Sequence, residues 1–272
     1  MQPRLSVSTW SLHRALGPTY WDSPADPSRE AQEPYGPGSI SLLELPARIA
    51  DMGIRTLEIC HFHLPSRESG YLDELRGALD DAEVELFSLL IDDGDITHPE
   101  YQARDMAWIA GWLETAGKLG ANCARIIAGK TVDEVAPARS RDALHKLAAV
   151  AEANGVRPMT ENWFNVTAQP EQVLGILEPL DGRVGLCADF GNWKGETKYA
   201  DLAQIFPLAD SCHAKCAFTA PLQPDRDDYA HCLDLTREAG FEGPYTLIYD
   251  GPDDDEWAGI ALERDIVTPY LA

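Results

Sequence analysis

Lysine and arginine are scarce in this chain: 22 against 45 aspartates and glutamates in 272 residues, a formal net charge of −23. The few cations form no basic run, so a phosphate backbone would be repelled and nucleic acid is not expected as a partner. The acidity itself reads as solubility. Long apolar runs are missing too: no stretch approaches the ~18 residues of a membrane span. The N-terminus, Met1-Gln2-Pro3-Arg4-Leu5, lacks the basic-then-apolar order of a secretory signal. A cytoplasmic protein without membrane contact is the expectation. Six cysteines are scattered, and Cys60, Cys123, Cys187 and Cys212 fall inside strand-like runs, as reduced thiols packed as small hydrophobes do. Cys212 and Cys216 flank His213, but neighbours on a strand point to opposite faces, so a cysteine-ligated zinc is not expected there. No glycine-rich phosphate fingerprint opens a helix, which excludes the usual nucleotide site.

What is present is alternation. Candidate strands are Leu5–Trp10, Thr56–His61, Val84–Ile91, Cys123–Ala128, Val156–Glu161, Val184–Asp189, Ala209–His213 and Tyr245–Tyr249. Most are continuous apolar or small-residue runs, as in a parallel sheet covered by helices. Amphipathic segments lie between them, for example Met106 to Leu119 and Leu144 to Ala153, and Gly53, Gly120, Gly155 and Gly240 are expected helix stops. Eight such units in a length near ~250 predict a single (β/α)8 TIM barrel, class α/β, over residues 1–272. One connection is too long for that pattern. The loop after the first strand, about residues 12–40, carries five prolines with Tyr20, Trp21 and Tyr35. It is expected to be a lid bringing Trp21 or Tyr35 to the site; a solvated loop or a contact between copies in a homo-oligomer are the alternatives.

Three successive strand ends are polar: Thr160-Glu161-Asn162, Ala188-Asp189-Phe190-Gly191-Asn192 and Cys212-His213-Ala214-Lys215. On the strand alternation, Glu161 shares a face with Met159, Asp189 with Cys187, and Lys215 with His213. Any one such residue more often caps the next helix, whereas three in consecutive units point to a shared site at the C-terminal mouth. Two carboxylates and an imidazole suit a divalent metal ion, Mn²⁺, Mg²⁺, Fe²⁺, Co²⁺ or Zn²⁺. Glu161, Asp189 and His213 are the expected ligands. The eighth run, Pro244 to Gly251, has Ile248 where a fourth acid would stand.

With Ser8-Thr9-Trp10-Ser11-Leu12-His13, Leu90-Ile91-Asp92-Asp93-Gly94-Asp95, Ala128-Gly129-Lys130 and Gly243-Pro244, these motifs make the whole chain resemble the xylose-isomerase-like barrels, the sugar phosphate isomerase/epimerase superfamily. The resemblance implies one divalent metal held by Glu161, Asp189, His213 and a glutamate on the eighth strand. The last fails at Ile248. Family epimerases use two glutamates, one on each face of the substrate carbon, so a one-base reaction is expected instead. Asp250, in phase with Ile248, is the candidate substitute; alternatively it opens the acidic stretch Asp250, Asp253, Asp254, Asp255, Glu256.

The expected catalytic residues are thus Glu161, Lys215 and Asp250, with Lys215 polarising or protonating an oxygen. Expected substrate contacts are Trp10, His63, Asp92, Arg125, Asn162 and Asn192. His63 reaches the site only if a bulge reverses its parity, and Arg125 reads more readily as a barrel-core cation than as an anchor for an anionic or hydroxylated substrate. The reading is a metal-dependent isomerase acting on a small sugar or other polyhydroxylated carbonyl compound through an enediolate. The alternatives are a dehydratase or lyase on a keto-sugar or cyclitol, and a barrel that has lost catalysis and serves as a binding subunit. An abasic-site endonuclease would need more metal-binding histidines and a basic cleft.

Overall fold

The computed structural model describes residues 2–252 and 254–271; Asp253, part of the acidic stretch, lies outside the described residues. Eight strands close into a parallel barrel: β1 (Arg4–Ser8), β2 (Thr56–Cys60), β3 (Glu85–Ile91), β4 (Cys123–Ile126), β5 (Arg157–Glu161), β6 (Gly185–Asp189), β7 (Ala209–Lys215) and β10 (Pro244–Ile248). A small antiparallel hairpin, β8 (Phe218–Ala220) and β9 (Gln223–Pro224), interrupts the seventh unit after β7. β10 pairs with both β7 and β1 and so closes the ring. The expected (β/α)8 barrel is what forms.

Helices α1 (His13–Leu16), α2 (Leu45–Asp51), α3 (Ser69–Asp81), α4 (Gln102–Leu119), α5 (Ala136–Ala153), α6 (Pro170–Leu177), α7 (Lys198–Ile205), α8 (Arg226–Glu238) and α9 (Glu256–Val267) follow the strands. Their apolar stripes cover the sheet; in α3 the stripe is Leu72, Leu75 and Leu79. Every residue of β2, β6 and β10 is buried, because one face meets helices and the other the lumen. Gly53, Gly120, Gly155 and Gly240 all take the positive φ that ends a helix. α8 and α9 start on aspartates: Asp225 accepts from the Asp228 N–H at 3.2 Å and Asp255 from the Ala258 N–H at 3.0 Å.

Inside the barrel, Phe87, Cys123, Met159 and Cys187 form an apolar plug, and Cys60, Phe62 and Leu90 form a second cluster with Trp10 against it. Strands β1, β2, β4 and β10 end one or two residues earlier than expected. β1 stops at Ser8, whose Oγ accepts from the Trp10 N–H at 3.2 Å and turns the chain into a short 3-10 helix. β2 stops at Cys60, and His61–His63 make a second 3-10 turn.

The long loop closes on itself. Its two ends meet at Gly17 and Gly38, where a Cβ on Gly17 would lie 2.2 Å from the Gly38 nitrogen. Thr19 and Gln32 exchange two backbone hydrogen bonds of 2.8 and 2.9 Å, and the Tyr20 N–H donates to Phe62 O at 2.7 Å. Asp22 accepts from Arg29 at 2.6 Å and from Trp108 Nε1 at 3.0 Å. The result is a compact loop pinned to the 3-10 turn after β2 and to α4.

Candidate active site

Glu161 and Asp189 end β5 and β6, and His213 lies one residue pair inside the end of β7. Each is only 4% exposed. His213 Nδ1 stands 3.6 Å from Glu161 Oε1 and 3.6 Å from Asp189 Oδ2. Two ligands of one ion bonded at ~2.1 Å are ~3.4 Å apart in a tetrahedron, so this spacing is close to that of a shared cation. The opposite ring nitrogen, Nε2, is 2.8 Å from Glu58 Oε2. A carboxylate oxygen accepts, so Nε2 carries a proton, and a cation in the site would meet Nδ1 as the ring nitrogen facing the mouth. That is how an outer carboxylate orients a metal-binding histidine. Glu161 Oε2 is buried without a hydrogen-bond partner, and the Arg125 guanidinium 3.0 Å away meets its charge. The donor set fits a divalent metal ion. A cysteine adjoins it: donor atoms of Glu161, Cys187 and His213 lie within 4.8 Å of one another.

The charges of the mouth are set by mutual pairing. Burial disfavours a charged His213, but Cys187, Glu161 and Glu58 outweigh it and hold its pKa well above the ordinary value. Burial likewise would raise Glu161, yet Arg125 and His213 keep it below the usual carboxylate range. Arg125, on β4, sits between two acids: Nη2 is 2.5 Å from Asp92 Oδ1 and Nε is 3.0 Å from Glu161 Oε2. The second pair is out of line for a hydrogen bond, so it acts through charge alone. For Asp92, burial is outweighed by Arg125 and His61, and its pKa falls to about 2. The guanidinium also lies 5.0 Å from the ring of Trp163.

A cavity of about 120 Å³ opens onto these groups. Of the expected residues it brings together Trp10, Asp92, Arg125, Glu161, Asp189, Asn192, His213 and Lys215, with Ile248 as an apolar wall. Asn192 Nδ2 donates to Glu161 Oε1 at 2.8 Å. Three expected residues lie elsewhere. Asn162 spends its amide on the Asp189 main chain, donating to its oxygen at 3.1 Å and accepting from its N–H at 2.7 Å. That fixes the end of β6 instead of meeting a ligand. His63 ends a 3-10 turn, not a bulge, and its Nε2 lies 3.2 Å from His13 Nδ1 outside the cavity. Asp250 forms an ion pair with Lys215 at 2.7 Å and is half-exposed, so its carboxylate is not turned to the ligand set. The lid aromatics also stay out: Trp21 stacks on Phe62 at 4.0 Å and Tyr35 on His13 at 4.6 Å.

Glu58, Cys187 and Trp163 are the site residues that sequence reasoning missed. An acid inside the apolar run Thr56–Cys60 was the signal for Glu58. The shared parity of Cys187 and Asp189 was the signal for the cysteine. Trp163 follows Glu161-Asn162 beyond the strand, where alternation no longer predicts direction.

A family model described as xylose isomerase-like TIM barrel matches residues 46–264. No curated protein matches the chain. Among solved structures, a xylose isomerase-like TIM barrel protein from Mycobacterium smegmatis in complex with magnesium superposes with a TM-score of 0.71 at 15% identity, covering 100% of this chain and 98% of that one. A sugar phosphate isomerase/epimerase from Parabacteroides distasonis gives 0.70 at 14% identity, with 100% of both chains covered. D-psicose 3-epimerase with D-tagatose from Clostridium cellulolyticum gives 0.69 at 15%, covering 100% and 99%. At such identities the likeness is one of fold.

Proposed function

The chain belongs to the xylose isomerase-like TIM barrels, and from that premise we propose a sugar isomerase-type enzyme that moves a proton beside the carbonyl of a small polyhydroxylated substrate. The observation that carries this is the convergence of Glu161, Asp189 and His213 beside Arg125 in one cavity at the strand ends. Glu161, Asp189 and His213 would hold a divalent ion, whose chemistry is to polarise the substrate carbonyl as a Lewis acid. Structures bearing magnesium or D-tagatose on the same fold support that reading.

The chain's own groups divide the remaining work. Glu161, held ionised, takes the proton from carbon and returns it to the neighbouring carbon on the same face. Lys215, whose charge is upheld by Asp250 despite burial, donates a hydrogen bond to the oxygen that gains negative charge. Asp92 and Asn192 accept and donate to substrate hydroxyls. Trp10 and Trp163 wall the cavity and exclude water. Ile248 faces the position a second base would need, which favours one-base isomerisation over epimerisation. Lys215 at the rim favours, as a second reading, elimination of a β-hydroxyl that it protonates as it leaves.

The test is solvent exchange. Candidate ketoses, aldoses and keto-sugars are incubated with the protein in D₂O with Mn²⁺ or Co²⁺, and carbon-bound deuterium is followed by NMR. Isomerisation gives deuterated product of unchanged composition; elimination gives a product lighter by one water. Glu161→Gln should lower the rate at least ~10²-fold. Absence of exchange and of product across the panel would sink the reading.

A further inference from the structure

The proposed metal centre draws on β5, β6 and β7, Ile248 offers no donor from β10, and β6 holds one more. The β5–β6 register pairs Glu161 with Cys187, not with Asp189. A register shift between Leu186 and Cys187 then sets Asp189 beside His213 on β7. Cys187 therefore stands level with Glu161, on the same face of β6 as Asp189 but two residues deeper. Its sulfur, a Glu161 carboxylate oxygen and a His213 ring nitrogen lie within 4.8 Å of one another, all buried. Bonds of ~2.3 Å to sulfur and ~2.1 Å to nitrogen or oxygen place two ligands ~3.6 Å apart in a tetrahedron, so small rotamer movements close this set on one ion. Asp189 is less free: its Oδ1 accepts from the N–H groups of Gly191 at 2.5 Å and Asn192 at 3.0 Å, leaving Oδ2. Glu161 Oε2 is buried with no hydrogen-bond partner.

We infer that Cys187 is a thiolate ligand of the divalent ion in this protein, in the set Glu161, Cys187, His213 and Asp189. The inference rests on the metal-centred reading above. Coordination exchanges the thiol proton, released to solvent, for the ion. One thiolate adds a negative charge to the centre and softens it, so it selects Zn²⁺, Co²⁺ or Fe²⁺ over Mg²⁺ and Mn²⁺.

Co²⁺ reports on this directly, with no substrate. Titrating the metal-free full chain should give the visible bands of a bound Co²⁺ and an intense near-ultraviolet thiolate-to-cobalt band. Cys187→Ser should abolish the near-ultraviolet band and weaken Zn²⁺ binding at least ~10-fold, while Cys123→Ser, altered in the same apolar plug, should keep both. If the serine variant does not fold, Cys187→Ala and Cys187→Asp carry the same readout. Visible bands without the thiolate band, or a thiolate band surviving in a folded Cys187 variant, overturn the cysteine ligand and leave the oxygen–nitrogen centre standing. No cobalt binding at all overturns the metal-centred reading and the cysteine ligand with it.

Discussion

The two arcs of the barrel mouth are built on opposite principles. From β3 to β7 the strand ends carry Asp92, Arg125, Glu161, Asp189 and His213, each buried and each held by another charge. From β10 through β1 to β2 they carry Ile248, Trp10 and Phe62, with His13 and His63 packed behind as neighbours of aromatic rings. Charges taken out of water are tolerable only where partners compensate them, so the first arc is a network in which no member is independent. The second needs only shape. One arc gathers charged groups and the other forms a wall, which is why an isoleucine on the eighth strand is accommodated at the mouth without breaking the fold.

Removing the shared cation should break the contrast most severely. Arg125→Ala leaves Asp92 and Glu161 buried without their partner and should cost about 3–5 kcal/mol in denaturant unfolding. Trp10→Ala on the other arc should leave the charge network intact. A loss at Arg125 under 1 kcal/mol would show that the network is not compensated as described.

Acid should separate the arcs in order. Burial lowers the His13 pKa from 6.5 to about 4, so the unfolded chain takes up its proton first and stability falls between those values. Asp92 loses its contribution at lower pH: its pKa drops from 3.8 to about 2, worth about 2 kcal/mol at neutral pH. That share is present above pH about 4 and lost as pH falls through about 2. Thermal unfolding across pH should therefore weaken in two stages, and His13→Gln should flatten only the upper one.

Ile248→Glu converts wall into network. Because Ile248 lines the cavity, the added carboxylate should raise Mn²⁺ affinity on the order of tenfold, read by calorimetry; an unchanged affinity would place β10 outside the metal centre. Asp250→Asn should do least. Its pair with Lys215 sits at the rim with Asp250 half-exposed, so stability should change by less than about 1 kcal/mol, with any effect confined to the pH profile of turnover.

The strand ends themselves were legible because a polar residue closing an apolar run is a local signal, repeated once per unit. The misplacements share one cause. Asn162, His63 and Asp250 all lie just past a strand, where the alternation that predicts direction has ended, and turns decided where each side chain went. Asp250 met the long reach of Lys215 before it could meet the ligands.

The amino-acid sequence by itself determined the eight-unit barrel and the face on which Glu161, Asp189, His213 and Cys187 lie. These follow from periodicity and chain chirality, which act between neighbours in the chain. Only the tertiary structure decided that Glu58 reaches across from β2 to hold His213, that Arg125 joins two acids, and that Cys187 is level with Glu161. Levels between strands are set by interstrand hydrogen bonds and the stagger of a closed barrel, and no single strand's sequence encodes its height against the next.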